Sequence, residues 1–275
     1  MGIVLNFFLF VLSALAMFCL TFHIFQDIHF AVTASQLFCF NPASIFFSAM
    51  YSESMFCIFT FLGLVLLHRR ETFSAIDCLM SSICFALAGA TRSNGLLLVG
   101  FILHRILSEV IFKLQKKQLM FPSLLKMSLL AILCSLLCLA PYVFFQLYVY
   151  WKLCDFGDSL TALLKPDWCL QSLPFSYGHI QAKYWEVGFL RYYQWRKVPN
   201  FLLAAPILCL VLHGTGLFLK RQRDLLSILG LYSSSKESYS ANQALFAYTV
   251  HCLFLACFSI LFIHIEVSNF PSLVS

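Results

Sequence analysis

The sequence predicts an all-α polytopic membrane protein, and three observations carry that prediction. Of its 275 residues 61% are apolar and 11% charged, where a soluble domain has about 45–50% apolar and about 25% charged residues. The charges are clustered, so several runs of spanning length contain none. Basic residues gather in short connections, as they do in cytosolic loops. A soluble globule, a nucleic-acid binder and a disordered chain are excluded together.

A hydrocarbon core of about 30 Å takes about 20 helical residues at about 1.5 Å each. Ile3–Phe22 is the first run to meet that length without a charge. It lacks the basic start and small-residue cleavage site of a signal peptide. Asn6 stands where a myristoylation signal needs Ser or Thr, so no lipid anchor is expected there. Ile28–Leu67 is apolar but interrupted by Asn41-Pro42 and by Tyr51-Ser52-Glu53, so residues 41–53 should separate two helices. Ala75–Leu103 would be about 43 Å long as one helix, too much for an upright crossing. Thr91-Arg92-Ser93-Asn94-Gly95 is the expected break, giving two shorter helices that meet at 91–95. Met127–Tyr150, Pro199–Leu219 and Ala244–Ile265 are uninterrupted and uncharged. The chain thus divides into a bundle over 1–150, an intervening segment over 151–198, and C-terminal transmembrane helices over 199–275.

Three connections are basic: Arg69 and Arg70; Arg105, Lys113, Lys116, Lys117 and Lys126; and Lys220, Arg221 and Arg223. With all three cytosolic, Glu53, the 91–95 break and the whole of Trp151–Val198 fall on the extracytosolic side. That segment holds all four tryptophans, Trp151, Trp168, Trp185 and Trp195. Within Lys183–Lys197 the rings of Trp185, Phe189, Tyr192 and Tyr193 recur at helical spacing, with Lys183, Glu186, Gln194 and Lys197 opposite. The spacing predicts an amphipathic helix whose aromatic face lies in the headgroup layer. An interfacial aromatic belt explains those rings, and so does a platform that stacks against sugar or lipid.

Backbone that leaves the helix at membrane depth is tolerated where it is buried in protein or lines a wet cavity, so both breaks are candidate working parts. Charges in apolar spans are functional candidates by default, which singles out Glu53 and Arg92. The planar fork of Arg92 suits phosphate or carboxylate; the plainer reading is that Glu53 and Arg92 pair with each other. Asp77 and Glu266 lie near span ends and are expected to be solvated. Most of the twelve cysteines read as small apolar fillers, and no His, Cys or carboxylate spacing makes a metal site. Cys154 and Cys169 share the outward segment and are open to disulfide formation or to remaining free. These residues alone choose neither enzyme nor transporter, although no inverted repeat supports the latter.

Four runs, taken in order, add a family resemblance. Phe40-Asn41-Pro42-Ala43-Ser44 leads to Tyr51-Ser52-Glu53, and then comes Ala90-Thr91-Arg92-Ser93-Asn94-Gly95. Tyr184-Trp185-Glu186-Val187-Gly188-Phe189-Leu190-Arg191-Tyr192-Tyr193 and Val198-Pro199-Asn200-Phe201-Leu202-Leu203-Ala204-Ala205-Pro206 follow. Together they resemble the GPI mannosyltransferase 2 family of the endoplasmic-reticulum membrane. The resemblance implies a GT-C-like bundle of transmembrane helices with a luminal aromatic-rich loop. It also implies transfer of the second mannose, in α1,6 linkage, from dolichyl-phosphate-mannose as donor substrate to the precursor glycolipid of the GPI anchor; the sequence identifies no cofactor. In that light Glu53, Arg92, Asn94, Trp185, Tyr192 and Tyr193 are substrate-binding candidates, Arg92 for the donor phosphate and the rings for sugar or lipid. A Cys154–Cys169 disulfide is implied in the same way. Family members carry their expected catalytic base in an earlier luminal loop with a Trp-Asp motif. No Trp-Asp pair occurs here, so a truncated, impaired chain is one expectation. A non-catalytic form that binds lipid-linked substrate or a partner membrane subunit is the other.

Overall fold

The computed structural model describes residues 2–41, 45–49, 51–70, 72–154, 167–170, 175–184, 187–190, 193, 198–223, 229–231 and 240–262. Every regular element among them is helical. Helix α1 covers Gly2–Phe25 and α2 covers Ile28–Cys39. Asp27 caps α2, its carboxylate accepting from the backbone N–H groups of His29 at 2.8 Å and Phe30 at 3.2 Å. The helix stops just before Asn41-Pro42, where the proline ring forbids continuation. A single turn, α3 (Ile45–Ser48), leads into α4 (Glu53–His68).

Helix α5 (Ala75–Thr91) is capped by Ser74, whose hydroxyl accepts from the Asp77 N–H at 3.3 Å. It ends because Arg92 is extended, at φ −149° and ψ 139°. A 3₁₀ turn over Ser93–Leu98 then opens α6 (Val99–Gln115). Next come α7 (Phe121–Cys154), a 3₁₀ turn over Asp167–Leu170, α8 (Ser176–Tyr184), α9 (Val198–Arg221) and α10 (Ala241–Phe262). Among the described residues, five stretches are long and apolar enough to cross a bilayer: Gly2–Phe25, Ser93–Gln115, Phe121–Cys154, Ala204–Arg221 and Ala241–Phe262. Helix α7 starts upstream of the expected Met127 and takes in Lys126, whose long stem can carry its charge to the interface.

Rings dominate the core between α1, α2 and α4. Phe38, Phe47, Phe61 and Phe85 are fully buried, and Phe38 meets Phe47 at 5.2 Å and Phe61 at 5.4 Å between ring centres. Lipid-facing surfaces of α1 and α7 remain apolar and exposed, as a bilayer solvent requires.

The polar contacts sort to two opposite ends. At one, Asn6 of α1 donates to the carbonyls of Ala49 and Tyr51, and Glu53, Arg92, Ser93 and α8 gather. At the other, Arg69 and Arg70 both pair with Asp77, and Lys113 reaches Glu109 at 3.3 Å. Asp77 is therefore buried between two arginines rather than solvated, because the α4–α5 turn folds them back over it. Glu266 lies outside the described residues.

Among the described residues the helix expected over Lys183–Lys197 is not continuous, since 187–190 are not helical. Helix α8 lies upstream and stops at Tyr184, while the chain turns at Gly188–Leu190, with Leu190 at φ 55°. Gly188 and Leu190 give their N–H groups to the carbonyls of Phe262 and Leu261 at the end of α10, at 3.2 and 2.8 Å. Those bonds tie 188–190 to α10 as a turn, where the aromatic periodicity predicts helix.

Candidate functional site

The site is built where the two helix breaks meet. Glu53 stands in the first turn of α4, where the helix dipole favours a negative charge. It is nearly inaccessible, at 4% exposure. One of its oxygens accepts from Arg92 Nη1 across the bundle. The other, Oε2, is buried with no hydrogen-bond partner among the described residues. The Arg92 side chain keeps 22% of its surface. Glu53 thus holds Nη1 of the guanidinium fork while part of the Arg92 side chain remains accessible. The pairing of Glu53 with Arg92 is thus formed, and the arginine is not fully enclosed by it.

Arg92 owes its position to the backbone that follows it. The N–H of Gly95 bonds back to the Arg92 carbonyl at 3.0 Å. Any side chain on Gly95 would run into the backbone of Ala88 and Gly89 on α5. Glycine is required here because the turn lies flat on the helix that precedes it. Asn94 sits in that turn, half-buried beside Arg92.

Of the aromatic candidates, Tyr193 is exposed and docks elsewhere. Its hydroxyl donates to the Ile260 carbonyl at 3.0 Å and its ring meets Phe201 at 5.1 Å, tying it to α9 and α10. Trp185 and Tyr192 lie outside the described residues. Cys154, the last residue of α7, is joined by a disulfide to Cys169, with 5.6 Å between Cα atoms. That link anchors the Asp167–Leu170 turn, and with it the buried Trp168, to the end of α7.

One neighbour carries no signal in the sequence. Tyr177 of α8 shares a 2.7 Å hydrogen bond with Ser93, the residue after Arg92. It belongs to no periodic apolar face and no turn signature, so pattern alone passes over it.

Below the break, α6 and α10 leave a cleft of about 250 Å³. Its walls include Leu97, Gly100, Phe101 and His104 on one side and Phe246, Val250, His251 and Phe254 on the other. Leu97 belongs to the 3₁₀ turn that Arg92 opens, so the cleft begins at the far end of that turn, five residues after the arginine, and runs along α6. Among the described residues no group of three or more His, Cys, Asp or Glu could hold a metal ion. What the arrangement offers is a fixed cation at a water boundary above an apolar slot, which suits an amphiphile with an anionic head.

Comparison with known proteins adds a lineage. The family described as Mannosyltransferase (PIG-V) matches residues 1–272. The GPI alpha-1,6-mannosyltransferase 2 of Homo sapiens is 32% identical over 96% of this chain and 57% of its own length. That of Cricetulus griseus is 34% identical over 86% of this chain and 52% of its own. The GPI mannosyltransferase 2 of Drosophila melanogaster is 32% identical over 98% and 62%. The chain therefore spans between half and two thirds of the length of these relatives. No solved structure matches it.

Proposed function

The chain belongs to the PIG-V mannosyltransferase family, and from that premise we propose that its break-end site serves mannosyl transfer in GPI-anchor assembly. The donor is dolichyl-phosphate-mannose, and the acceptor is the first mannose of the GPI precursor, joined in α1,6 linkage. Transfer takes place on the luminal face of the endoplasmic-reticulum membrane. The observation that carries this reading is Arg92, held from behind by buried Glu53 and still open to the water boundary.

In the reaction the acceptor oxygen attacks the anomeric carbon as the bond from that carbon to the phosphate oxygen breaks. Dolichyl phosphate leaves with the electron pair, and the acceptor proton passes to a base. Charge grows on the departing phosphate, and a preorganised guanidinium aimed at it stabilises the transition state more than the ground state. Glu53 is already engaged with Arg92, so its role is to fix the fork rather than to accept the proton. Asn94, two residues after Arg92, can donate its amide to phosphate or sugar. The cleft between α6 and α10 receives the hydrocarbon chain, because it begins at Leu97 in the turn that Arg92 opens and is lined almost wholly by apolar side chains. Trp185, Tyr192 and Tyr193 remain proposed sugar and lipid contacts.

Expression in cells that lack the second GPI mannosyltransferase tests the reading, with surface display of GPI-anchored proteins as the measurement. Weak restoration of display, as the missing Trp-Asp motif implies, that Arg92→Ala abolishes is the expected result. Binding of dolichyl phosphate without restored display would leave a substrate-binding role and remove the catalytic one. Absence of both would remove the whole reading.

The cleft has its own test. A Cβ on Gly100 would meet nothing within 4 Å, so a larger side chain there enters the cleft rather than the core. Gly100→Leu is expected to weaken dolichyl phosphate binding about tenfold, the loss of a few buried methylenes, while thermal unfolding in detergent stays unchanged. Equal binding by the variant would place the hydrocarbon chain elsewhere.

A further inference from the structure

A second polar network reaches the break from the opposite direction to Glu53. Ser93 and Tyr177 share a hydrogen bond at 2.7 Å, and the Tyr177 ring meets Tyr142 of α7 edge-on, 6.0 Å between centres. One turn along α7, Gln146 donates its amide to the Tyr142 hydroxyl at 3.0 Å. The Gln146 carbonyl oxygen accepts from Ser176, a buried residue that opens α8. The network therefore joins α7, α8 and the 3₁₀ turn at a residue adjacent to Arg92.

Helix α8 reads Ser-Tyr-Gly-His-Ile-Gln-Ala-Lys-Tyr, nine residues without a continuous apolar stripe. Packing of such a helix is weak, and isolated helices of this length are marginal. Its position then rests on the polar contacts just named. They add to what holds the turn they reach, which packs on α5 at Gly95 but has the poorer hydrogen bonds of a 3₁₀ segment.

We propose that Tyr177 is a positioning residue for anion binding at Arg92, an inference that rests on the phosphate reading of that arginine. Through Ser93 it clasps the start of the turn against α7 and α8. The open edge of the guanidinium therefore faces one direction instead of several. Planar, two-pronged recognition of a phosphate depends on such orientation far more than on charge alone. Removing only the phenolic oxygen leaves the ring on Tyr142 and releases one net hydrogen bond, which corresponds to about a fivefold change in an equilibrium.

The experiment measures binding of dolichyl phosphate and of uncharged dolichol to the full chain in lipid nanodiscs. The ratio of the two affinities is the readout, because a merely structural loss lowers both alike. The unsubstituted chain is expected to prefer the phosphate, and Tyr177→Phe to cut that preference about fivefold. Ser93→Ala should do the same, and the double variant should be no worse than either single one. Tyr148→Phe, on the exposed flank of α7, serves as the control. An unchanged ratio in Tyr177→Phe would overturn the positioning role while sparing Arg92. Additive losses in the double variant would overturn the route through Ser93. No preference for phosphate in the unsubstituted chain would overturn the Arg92 reading and this role together.

Discussion

Replacing Arg92 with alanine is expected to lower mannosyl transfer, assayed in membranes with the synthetic donor, by about 10²–10³-fold. That is the usual cost of deleting one preorganised donor from a site where negative charge develops. The same change should also destabilise the bundle, by about 3 kcal/mol, because it strands the Glu53 carboxylate in the interior. The two effects separate by a second substitution. In Glu53→Gln/Arg92→Ala the orphaned charge is gone, so detergent melting should return toward the unsubstituted value while transfer stays lost. Glu53→Gln alone keeps the shape and leaves Arg92 in place with a neutral partner. Transfer should then fall far less than with Arg92→Ala. If the double variant regained transfer along with stability, Arg92 would be a structural counter-ion and nothing more.

The same pair divides what a linear reading of the chain reveals from what only packing reveals. Charge scarcity marks Glu53 and Arg92, since each stands almost alone in an apolar run. Proline and glycine mark the breaks that carry them, because both residues act on the local backbone. Pairing of the two is legible as one possibility, but spacing cannot supply the asymmetry, with one partner sealed and the other still open. Asp77 misleads for a related reason. A charge near a span end reads as solvated, but Arg69 and Arg70 come back over it only once α4 and α5 pack. The aromatic spacing over Lys183–Lys197 is a true 3.6-residue pattern that the backbone does not follow. There Gly188 and Leu190 bond to carbonyls at the end of α10. Tyr177 has no local signal, for its role depends on a residue 84 positions away. Local chemistry is thus readable one element at a time, whereas closure between elements is not.

Gly95 makes the second large effect a matter of backbone alone. Gly95→Ala adds one carbon, and that carbon would meet the nitrogen and Cα of Gly89 and the carbonyl carbon of Ala88. None of these is the end of a flexible side chain, so the turn itself must lift from α5. Overpacking of this kind costs typically about 1–3 kcal/mol. Lifting the turn also moves Arg92, whose carbonyl holds the Gly95 N–H at 3.0 Å. Transfer should drop at least tenfold even where enough folded protein survives to assay. Gly89→Ala is the informative partner, although it adds the same atom to the opposite face of the same contact. There the new carbon meets the Cys138 carbonyl oxygen at 3.7 Å and the Gly95 carbonyl carbon at 3.9 Å, ordinary van der Waals distances. It should therefore be mild in melting and in transfer, and alanine should even favour the α5 helix over glycine. A further check uses Glu53→Gln in the Gly95→Ala background. Once the turn has lifted, Glu53 no longer has Arg92 to hold, so the added substitution should change transfer little. Should Gly89→Ala prove as damaging as Gly95→Ala, the loss would lie in small-residue helix contact generally. The Gly95 turn would then have no special claim on the position of Arg92.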